Sequence, residues 1–259
     1  MNNLMGEKLS IIIPAYNEEH NIKKTLLNHI DYFSTKIPFE IIVVMDGCKD
    51  NTFSIVHELS IHYSQIRYLT FPKKLGKGGG ILKGFKNAKG QIIAFTDADC
   101  STSPAQLYKL IQHTNQTDVV IGSRWMKNSI IEKKESLPRR LASRSFNFMV
   151  RLLFNLPIKD TQCGAKVFNK YVIENIIDDL ILTNFAFDVE LLFTIQKNGY
   201  RILEIPIQWK HDDFTELKMA KVIPSMFLSV IGLRIKRSPY WIFIPQWIIK
   251  PLHNKLKTI

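Results

Sequence analysis

The stretch IIAFTDADCSTSP, residues 92–104, decides how the rest of this sequence is interpreted. An apolar run typical of a buried strand ends at Thr96, and two carboxylates, Asp97 and Asp99, follow with one residue between them. Two carboxylates this close repel each other, which raises the pKa of their acid forms. A divalent cation removes the repulsion, because hard cations such as Mg²⁺ and Mn²⁺ take carboxylate oxygens as ligands. The alternative is a solvated turn at the start of a helix at Ser103 and Pro104.

The segments around this stretch alternate between apolar strands and helices. That alternation is typical of an α/β fold, with a mostly parallel sheet and helices on both faces. A helical pattern returns at 185–199, and residues 201–209 alternate like an edge strand. The first strands are predicted at 9–13, 39–45, 66–71 and 91–96, and the helices between them at about 17–33, 50–60 and 81–89.

Polar residues follow three of these predicted strands. PAYNEE (14–19) follows the first, Asp46 the second, and Asp97 the fourth. Ligands of open α/β sheets bind beyond the carboxyl ends of the strands, so the pattern predicts a nucleotide crevice there. Asp46 could accept hydrogen bonds from a base or a ribose. Helix capping at PAYNEE and a simple Asp-Gly turn at Asp46 are the structural alternatives.

The glycine-rich segment LGKGGG (75–80) lacks the spacing of a P-loop and of a dinucleotide-binding loop. Glycines before a helix can nevertheless approach a phosphate, and Lys77 could neutralise one. A tight loop without a ligand is the other interpretation.

The composition narrows the class of protein. The chain has 259 residues and a net charge of +12, which favours an anionic partner: nucleic acid, a phosphorylated substrate or an anionic membrane. Three scattered cysteines argue against disulfides and a zinc site, and for a reducing compartment. The N-terminus shows no signal-peptide pattern, so we expect a cytoplasmic protein. No motif typical of nucleic-acid recognition supports a nucleic-acid partner.

Seven segments follow one another along the chain: SIIIPAYNEE, VVMDGCKDNT, LGKGGGILKGF, FTDADCSTSP, VIGSR, DTQCGAKVF and FDVELL. Together and in this order they resemble the family 2 glycosyltransferases of GT-A fold. The chain is most similar to the dolichyl-phosphate glucosyltransferase and polyprenyl-phosphate mannosyltransferase group, over about residues 9–210. A nucleotidyltransferase, which uses a similar sheet and metal, fits the series poorly.

The resemblance implies an inverting transfer from a nucleoside-diphosphate sugar, UDP-glucose or GDP-mannose. It implies that Asp97 and Asp99 hold Mg²⁺ or Mn²⁺ against the diphosphate. Two departures matter: Met45 stands where the family commonly has an acid, and Ser101 stands where the mannosyltransferases often have a glutamine. The second departure weakens the resemblance to the mannosyltransferases. The segment DTQCGAKVF is more similar to the glucosyltransferases and favours glucose over mannose. The resemblance also implies a nucleotide-sugar pocket lined by Pro14, Ala15, Tyr16, Glu18, Asp46, Lys77, Asp97 and Ala98.

The acceptor decides whether a general base is needed. A hydroxyl must lose a proton to a nearby carboxylate, for which Asp188 is the candidate. A phosphate monoester is already anionic near neutrality and needs positive charges to position it. The arginines that could grip it are Arg124, Arg139, Arg140 and Arg144, although each alone could be part of a solvated basic loop.

The C-terminal part, from residue 216, changes to apolar and basic. Two uncharged runs, 222–233 and 238–249, are separated by basic residues, and each is too short to span a bilayer. They suit an interfacial anchor with Trp241 and Trp247 at headgroup depth, or a helix packed on the protein. We expect a catalytic domain at 1–215 and a membrane-associating segment at 216–259.

The sequence thus predicts a hexosyltransferase, peripheral on the cytoplasmic face of a membrane, with a polyprenyl (dolichyl) phosphate acceptor. The second hypothesis is transfer to a sugar hydroxyl of a glycan or a cell-surface polysaccharide. A third, from a different class, is a non-enzymatic protein whose basic face binds nucleic acid.

Overall fold

The structure is a computed structural model that describes residues 8–133, 137–210 and 219–238. For residues 133, 138, 139 and 219–225 it describes the backbone alone. The strands in the described ranges are β1 (Leu9–Ala15), β2 (Phe39–Asp46), β3 (Ile66–Phe71), β4 (Ile92–Phe95), β5 (Val119–Ser123), β6 (Ile130–Lys133), β7 (Lys166–Asn169), β8 (Ile202–Pro206) and β9 (Gln208–Lys210). The α-helices are α1 (Ile22–Phe33), α2 (Thr52–His62), α3 (Lys77–Asn87), α4 (Pro104–Ile111), α5 (Leu137–Phe154), α6 (Lys170–Ile176), α7 (Phe187–Lys197) and α8 (Met219–Lys236).

Seven strands form one sheet in the order β3-β2-β1-β4-β7-β5-β8. The β3-β2-β1-β4 half is parallel, and so is the β5–β8 pair. β7 runs antiparallel between β4 and β5, which the sequence did not reveal. The expected α/β fold with a mostly parallel sheet is confirmed, and β8 is the edge strand that its alternating pattern predicted.

Helices cover both faces of the sheet, and the strand period decides which side chain meets which helix. In β1, Leu9, Ile11 and Ile13 pack into the cluster that contains α1 and α4. Ile12 points to the other face, into the cluster that contains α3, α5 and α7. Side chains alternate along a strand, so a continuous apolar run such as III (11–13) fits a strand buried on both faces.

The strand order brings the predicted polar segments together. β1 lies between β2 and β4 and is parallel to both, so the carboxyl ends of these three strands meet at one edge. The order along the sheet reverses between β1 and β4, and that is where an open sheet leaves a crevice for a ligand.

Two helices differ from the sequence-based expectation. α1 begins at Ile22 rather than near Asn17, because Asn17 adopts a left-handed conformation (φ 54°). Its side-chain oxygen accepts a hydrogen bond from the Lys49 amide at 2.9 Å, which ties the loop after β1 to the loop after β2. The basic stretch that could have been a solvated loop is largely the 18-residue helix α5.

α8 packs one face on the rest of the structure. Val230 and Leu233 are fully buried, the Phe227 ring lies 5.4 Å from Phe146 of α5, and Asn184 donates to the Ser229 hydroxyl at 2.8 Å. The second apolar run, with Trp241 and Trp247, lies outside the described residues. No helix in the described ranges combines the length and apolar content needed to cross a bilayer.

A buried carboxylate holds the amino ends of the first strands together, away from the crevice. Glu40 of β2 accepts hydrogen bonds from the Ser10 hydroxyl of β1 at 2.7 Å and the Lys89 amide at 2.9 Å. Arg67 of β3 pairs with its other oxygen at 2.6 Å. Burial opposes the charge, but the hydrogen bonds and the positive charge of Lys8 outweigh it and lower the pKa of Glu40.

We therefore expect Glu40→Gln to lower the free energy of unfolding by about 2 kcal/mol at pH 7, because it removes hydrogen bonds to a charged group. The folded-state pKa lies below the unfolded value of about 4.3, so the carboxylate contributes its stability above that pH. The contribution disappears as the pH falls through the folded-state pKa. Urea unfolding of both proteins from pH 7 to pH 3 tests this.

Glu58→Gln, at an exposed position of α2, is the matched control and should leave stability unchanged at every pH. A stability difference for Glu40→Gln that persists undiminished at pH 3 would contradict the assignment of this role to the charged carboxylate.

Candidate active site

The loop after β4 carries Asp97 and Asp99 and is fixed to its surroundings at several points. The Thr96 amide donates to the Ile12 carbonyl at 3.1 Å, and the Thr25 hydroxyl of α1 donates to the Ala98 carbonyl at 2.6 Å. α4 begins at Pro104, as the sequence predicted, with Ser103 as its N-cap. The helix cap and the carboxylate pair are both present. The two interpretations of this stretch, a helix start and a metal site, therefore do not exclude each other.

Asp97 lies next to Lys77, the first residue of α3. The Lys77 Nζ atom is 2.7 Å from Asp97 Oδ1, and both side chains are partly buried. Burial opposes the charge on Asp97, but Lys77, and further off Lys166 and Arg124, outweigh it and hold its pKa below the ordinary value. Asp97 is therefore ionised at neutral pH.

Asp99 has a less favourable environment. Its Oδ1 atom accepts a hydrogen bond from the Ser101 amide at 2.9 Å. Burial and the negative charge of Asp97 nevertheless raise the pKa of Asp99. The pair thus shows the repulsion that the sequence suggested, and additional positive charge would relieve it.

A second ion pair lies in the buried interior beside this loop. Lys166 of β7 is fully buried, and its Nζ atom contacts Asp188 Oδ1 of α7 at 2.6 Å and the Cys163 carbonyl at 2.5 Å. The ammonium group also lies 5.1 Å from the centre of the Phe95 ring at the end of β4. Asp188 and Lys166 therefore neutralise each other in the buried interior.

A third ion pair joins Arg124, after β5, to Asp160. Arg124 Nε and Nη2 contact the two carboxylate oxygens at 2.7 and 2.9 Å, and the Arg124 amide donates to Oδ2 at 3.0 Å. Asp160 is fully buried, which opposes its charge, but the guanidinium group lowers its pKa. This paired geometry holds the loop at 160–164 beside the crevice.

That loop approaches the Asp97 carboxylate through Gly164. A Cβ atom at Gly164 would collide with the Asp97 side chain, so the close approach requires glycine. The other end of the loop is held by Asn147 of α5, whose side-chain oxygen accepts from the Thr161 amide at 3.0 Å and its hydroxyl at 2.8 Å. The DTQCG segment thus connects the carboxylate pair to α5.

The charges of this cluster do not balance. Among the residues that the structure describes, four carboxylates, Asp97, Asp99, Asp160 and Asp188, lie together with three cations. Lys166 and Arg124 pair with the two deeper carboxylates, Lys77 pairs with Asp97, and Asp99 has neutral hydrogen-bond donors. The cluster therefore favours one more cation at Asp99.

The residues expected to line a nucleotide pocket lie at the adjoining ends of β1 and β2. Pro14 is half-buried and Ala15 is buried at the end of β1. Tyr16 is 37% exposed, with the Lys74 ammonium group 3.6 Å above its ring centre. Glu18 accepts a hydrogen bond from Asn21 at 3.2 Å, and its amide donates to Thr52 at 2.8 Å. An exposed aromatic ring beside a cation is a surface on which a base could stack.

Asp46 is buried and has protein partners on both carboxylate oxygens. The Leu75 and Gly76 amides donate to Oδ1 and Oδ2, the second at 2.8 Å. Gly76 has a φ of 84°, which favours glycine. In this structure Asp46 shapes the loop that positions Lys77.

The structure brings two of the four predicted acceptor arginines together. The guanidinium carbons of Arg124 and Arg144 lie 5.4 and 5.1 Å from the centre of the Trp125 ring. Arg140 lies on α5 with its Nε atom buried and without a hydrogen-bond partner. Arg139 is on the same helix, and its side chain is not described.

Sequence reasoning missed the roles of Lys166 and Trp125. The signal for Lys166 was its place inside the apolar pattern GAKVF, which indicates a buried lysine. A buried lysine requires a charged partner. Asp160 orders its loop through its contacts with Arg124.

The two carboxylates are compatible with a magnesium or manganese ion. Magnesium is commonly bound by one or two carboxylates together with substrate phosphates and water, rather than by a complete protein cage. The described residues contain no group of three His, Cys, Asp or Glu side chains placed to hold a metal.

Comparisons with known proteins identify the family. The family model for glycosyl transferase family 2 matches residues 10–177. The dolichyl-phosphate beta-glucosyltransferase of Saccharomyces cerevisiae is 34% identical over 82% of this chain and 70% of its own length. Glycosyltransferase AglD of Haloferax volcanii is 30% identical over 98% of this chain, which spans 40% of the length of AglD.

A solved structure shows the same fold. Glucosyl-3-phosphoglycerate synthase from Mycobacterium tuberculosis, in complex with Mn²⁺, UDP and glucosyl-3-phosphoglycerate, superimposes with a TM-score of 0.65 at 18% identity. The match covers 90% of this chain and 80% of the synthase. The chain therefore belongs to glycosyl transferase family 2 and is a nucleotide-sugar glycosyltransferase of GT-A fold.

Proposed function

We propose that this enzyme transfers a hexose, glucose before mannose, from a nucleoside-diphosphate sugar to a polyprenyl phosphate, with inversion at the anomeric carbon. The observation that carries the proposal is the Asp97 and Asp99 pair at the reversal of strand order, in a cluster short of one positive charge. The name of the yeast relative supports glucose as the sugar and dolichyl phosphate as the acceptor.

In this proposal Asp97 and Asp99 hold Mg²⁺ or Mn²⁺. A divalent ion bound there would neutralise the charge that develops on the leaving diphosphate. Pro14, Ala15, Tyr16, Glu18 and Ala98 are the proposed lining of the nucleotide-sugar pocket, with Asp46 holding the loop from which Lys77 reaches the site.

The proposed acceptor phosphate binds near Arg144 and Arg124, with Arg140 and Arg139 on the same helix as Arg144. A phosphate acceptor needs no general base, because its second pKa of about 6 leaves it largely anionic near neutrality. The pairing of Asp188 with Lys166 supports this acceptor over a sugar hydroxyl. Asp188 is buried, and its Oδ1 atom already accepts a hydrogen bond from Lys166.

A lipid acceptor requires the enzyme to reach a membrane surface. α5 exposes four apolar side chains spaced four, seven and four residues apart, which places them on one helical face. Each is between 67% and 76% exposed. Arg144 and Arg151 are exposed on the same helix, as expected of an interfacial helix on anionic lipid. The four apolar residues are Leu137, Leu141, Phe148 and Leu152.

α8 also exposes apolar side chains, Leu228, Ile231 and Ile235. We propose that α5 and α8, with the residues that follow α8, attach the enzyme peripherally to the cytoplasmic face of a membrane.

Asp99→Asn is expected to abolish metal-dependent transfer, with a loss of at least about a hundredfold, because it removes a ligand and a negative charge. The measurement is transfer from a panel of radiolabelled nucleotide sugars to a short polyprenyl phosphate, with Mg²⁺, Mn²⁺ or EDTA. Labelled lipid that forms equally well in EDTA would exclude the proposed metal role. The productive donor identifies the base and the sugar.

Arg144→Gln is expected to raise the KM for the polyprenyl phosphate about tenfold while leaving the KM for the donor unchanged, because a charge-assisted contact to a phosphate is lost. Arg201→Gln, at the other end of the sheet, is the control with the same change of charge. If the donor KM rises instead, the arginine belongs to the nucleotide pocket. Product found on a glycan hydroxyl, with none on lipid, would favour the second hypothesis and Asp188 as base.

The double variant Phe148→Ser/Leu152→Ser is expected to weaken binding to anionic phospholipid vesicles about tenfold or more, because two apolar side chains no longer enter the interface. Cosedimentation with vesicles measures it. Ile61→Ser, at an exposed position of α2, should bind as the wild type does. Equal cosedimentation of the double variant and the wild type would exclude α5 from the membrane-binding surface.

A further inference from the structure

The position of Lys77 suggests a role beyond contact with a phosphate. Its Nζ atom lies 2.7 Å from Asp97 Oδ1, where a metal ion held by Asp97 and Asp99 would also find a ligand. Burial opposes the charge on Lys77, but Asp97, Asp188 and Asp99 together raise its pKa well above the ordinary value. Lys77 is therefore fully charged, and its ammonium group and a metal ion cannot both be closest to the same carboxylate oxygen.

The other two cations of the cluster have different partners. Lys166 contacts Asp188 at 2.6 Å, and Arg124 contacts Asp160 through two nitrogens. Both are anchored on buried carboxylates. Lys77 is thus the cation of this cluster that hydrogen-bonds to the proposed metal ligands.

The backbone at Lys77 is held by hydrogen bonds, and its side chain is 17% exposed. The Asp46 carboxylate accepts the Leu75 and Gly76 amides, and the Gly79 amide donates to the Thr183 carbonyl at 3.1 Å. These contacts fix the start of α3. A lysine side chain has four rotatable methylene groups and no required geometry, so its ammonium group can shift between nearby anions at little cost.

We propose that Lys77 is a tethered counter-ion that pairs with Asp97 in the donor-free enzyme and moves to the diphosphate when the donor and its metal bind. The proposal rests on the proposed function, because it assumes that Asp97 and Asp99 hold the metal. No covalent bond changes; one ion pair, Lys77 with Asp97, is exchanged for another, Lys77 with the diphosphate.

The exchange makes metal and nucleotide binding interdependent. A metal ion without nucleotide must displace Lys77 from Asp97 and leave the ammonium group without that partner, so it binds weakly. A diphosphate provides a new partner for Lys77 and thereby strengthens metal binding. By linkage, the metal must strengthen nucleotide binding by the same factor. The enzyme would consequently hold little metal until a donor arrives.

The test compares Lys77→Met with wild type by titration calorimetry, using Mn²⁺ alone, UDP alone, and Mn²⁺ at saturating UDP. A neighbouring opposite charge changes the proton affinity of a carboxylate by roughly one to three pKa units, so a similar effect on a cation is at least about tenfold. We expect Lys77→Met to bind Mn²⁺ alone about tenfold more tightly than wild type and UDP alone more weakly. The gain in Mn²⁺ affinity that UDP causes should fall about tenfold or more.

Two further variants control for charge and fold. Lys86→Met removes a positive charge from the last turn of the same helix, where Lys86 is exposed, and should leave both affinities and their coupling unchanged. Lys77→Arg keeps the charge and should retain weak binding of Mn²⁺ alone. Thermal unfolding confirms that each variant is folded.

The outcomes separate this inference from the proposed function. Equal or weaker binding of Mn²⁺ alone by folded Lys77→Met, with wild-type coupling to UDP, overturns the inference and leaves the metal site in place. Wild type that binds no Mn²⁺ even with UDP, or Asp99→Asn that binds it normally, overturns both. Tighter binding of Mn²⁺ alone by Lys77→Arg as well would show that charge is not the cause.

Discussion

The structure around the crevice depends on the pairing of buried charges. Asp160 and Asp188 are buried at the carboxyl ends of the strands, where an unpaired carboxylate would be strongly unfavourable, and each is neutralised by one cation. Arg124 and Lys166 therefore have fixed positions, and the loops that carry them are fixed with them. Breaking either pair would leave an uncompensated charge in the interior, at a typical cost of about 3–5 kcal/mol.

These buried pairs give the exposed end of the cluster its chemistry. Asp97 is kept ionised by Lys77, and the charge on Asp97 in turn makes ionisation of Asp99 unfavourable without a further cation. In the proposed function, such a site binds a divalent ion and a diphosphate together, because the two bring opposite charges. The buried contact between Asp188 and Lys166 assigns Asp188 to holding this lysine, which supports the proposed acceptor, a phosphate that is already anionic.

The site and the surface that would approach a membrane are parts of one connected structure. Asn147 of α5 holds the backbone of Thr161, two residues before Cys163, whose carbonyl contacts Lys166. α5 also packs against α8 through Phe146 and Phe227. The apolar face of α5 points away from the core, while its opposite face is buried. A lipid-bound phosphate could therefore approach Arg144 from the side on which α5 meets the bilayer.

The sequence by itself determined the α/β fold, most strand positions and the carboxylate pair, because apolar periodicity and strand-end carboxylates are local patterns. It could not determine that β7 runs antiparallel between β4 and β5, since strand order depends on contacts between distant segments. Nor could it show that Asp46 binds the loop of Lys77, that Asp188 pairs with Lys166, or that Arg124 is held by Asp160. Each of these depends on which charge lies within about 3 Å of which, and only the tertiary structure decides that distance, because the partners are 22 to 36 residues apart in the chain.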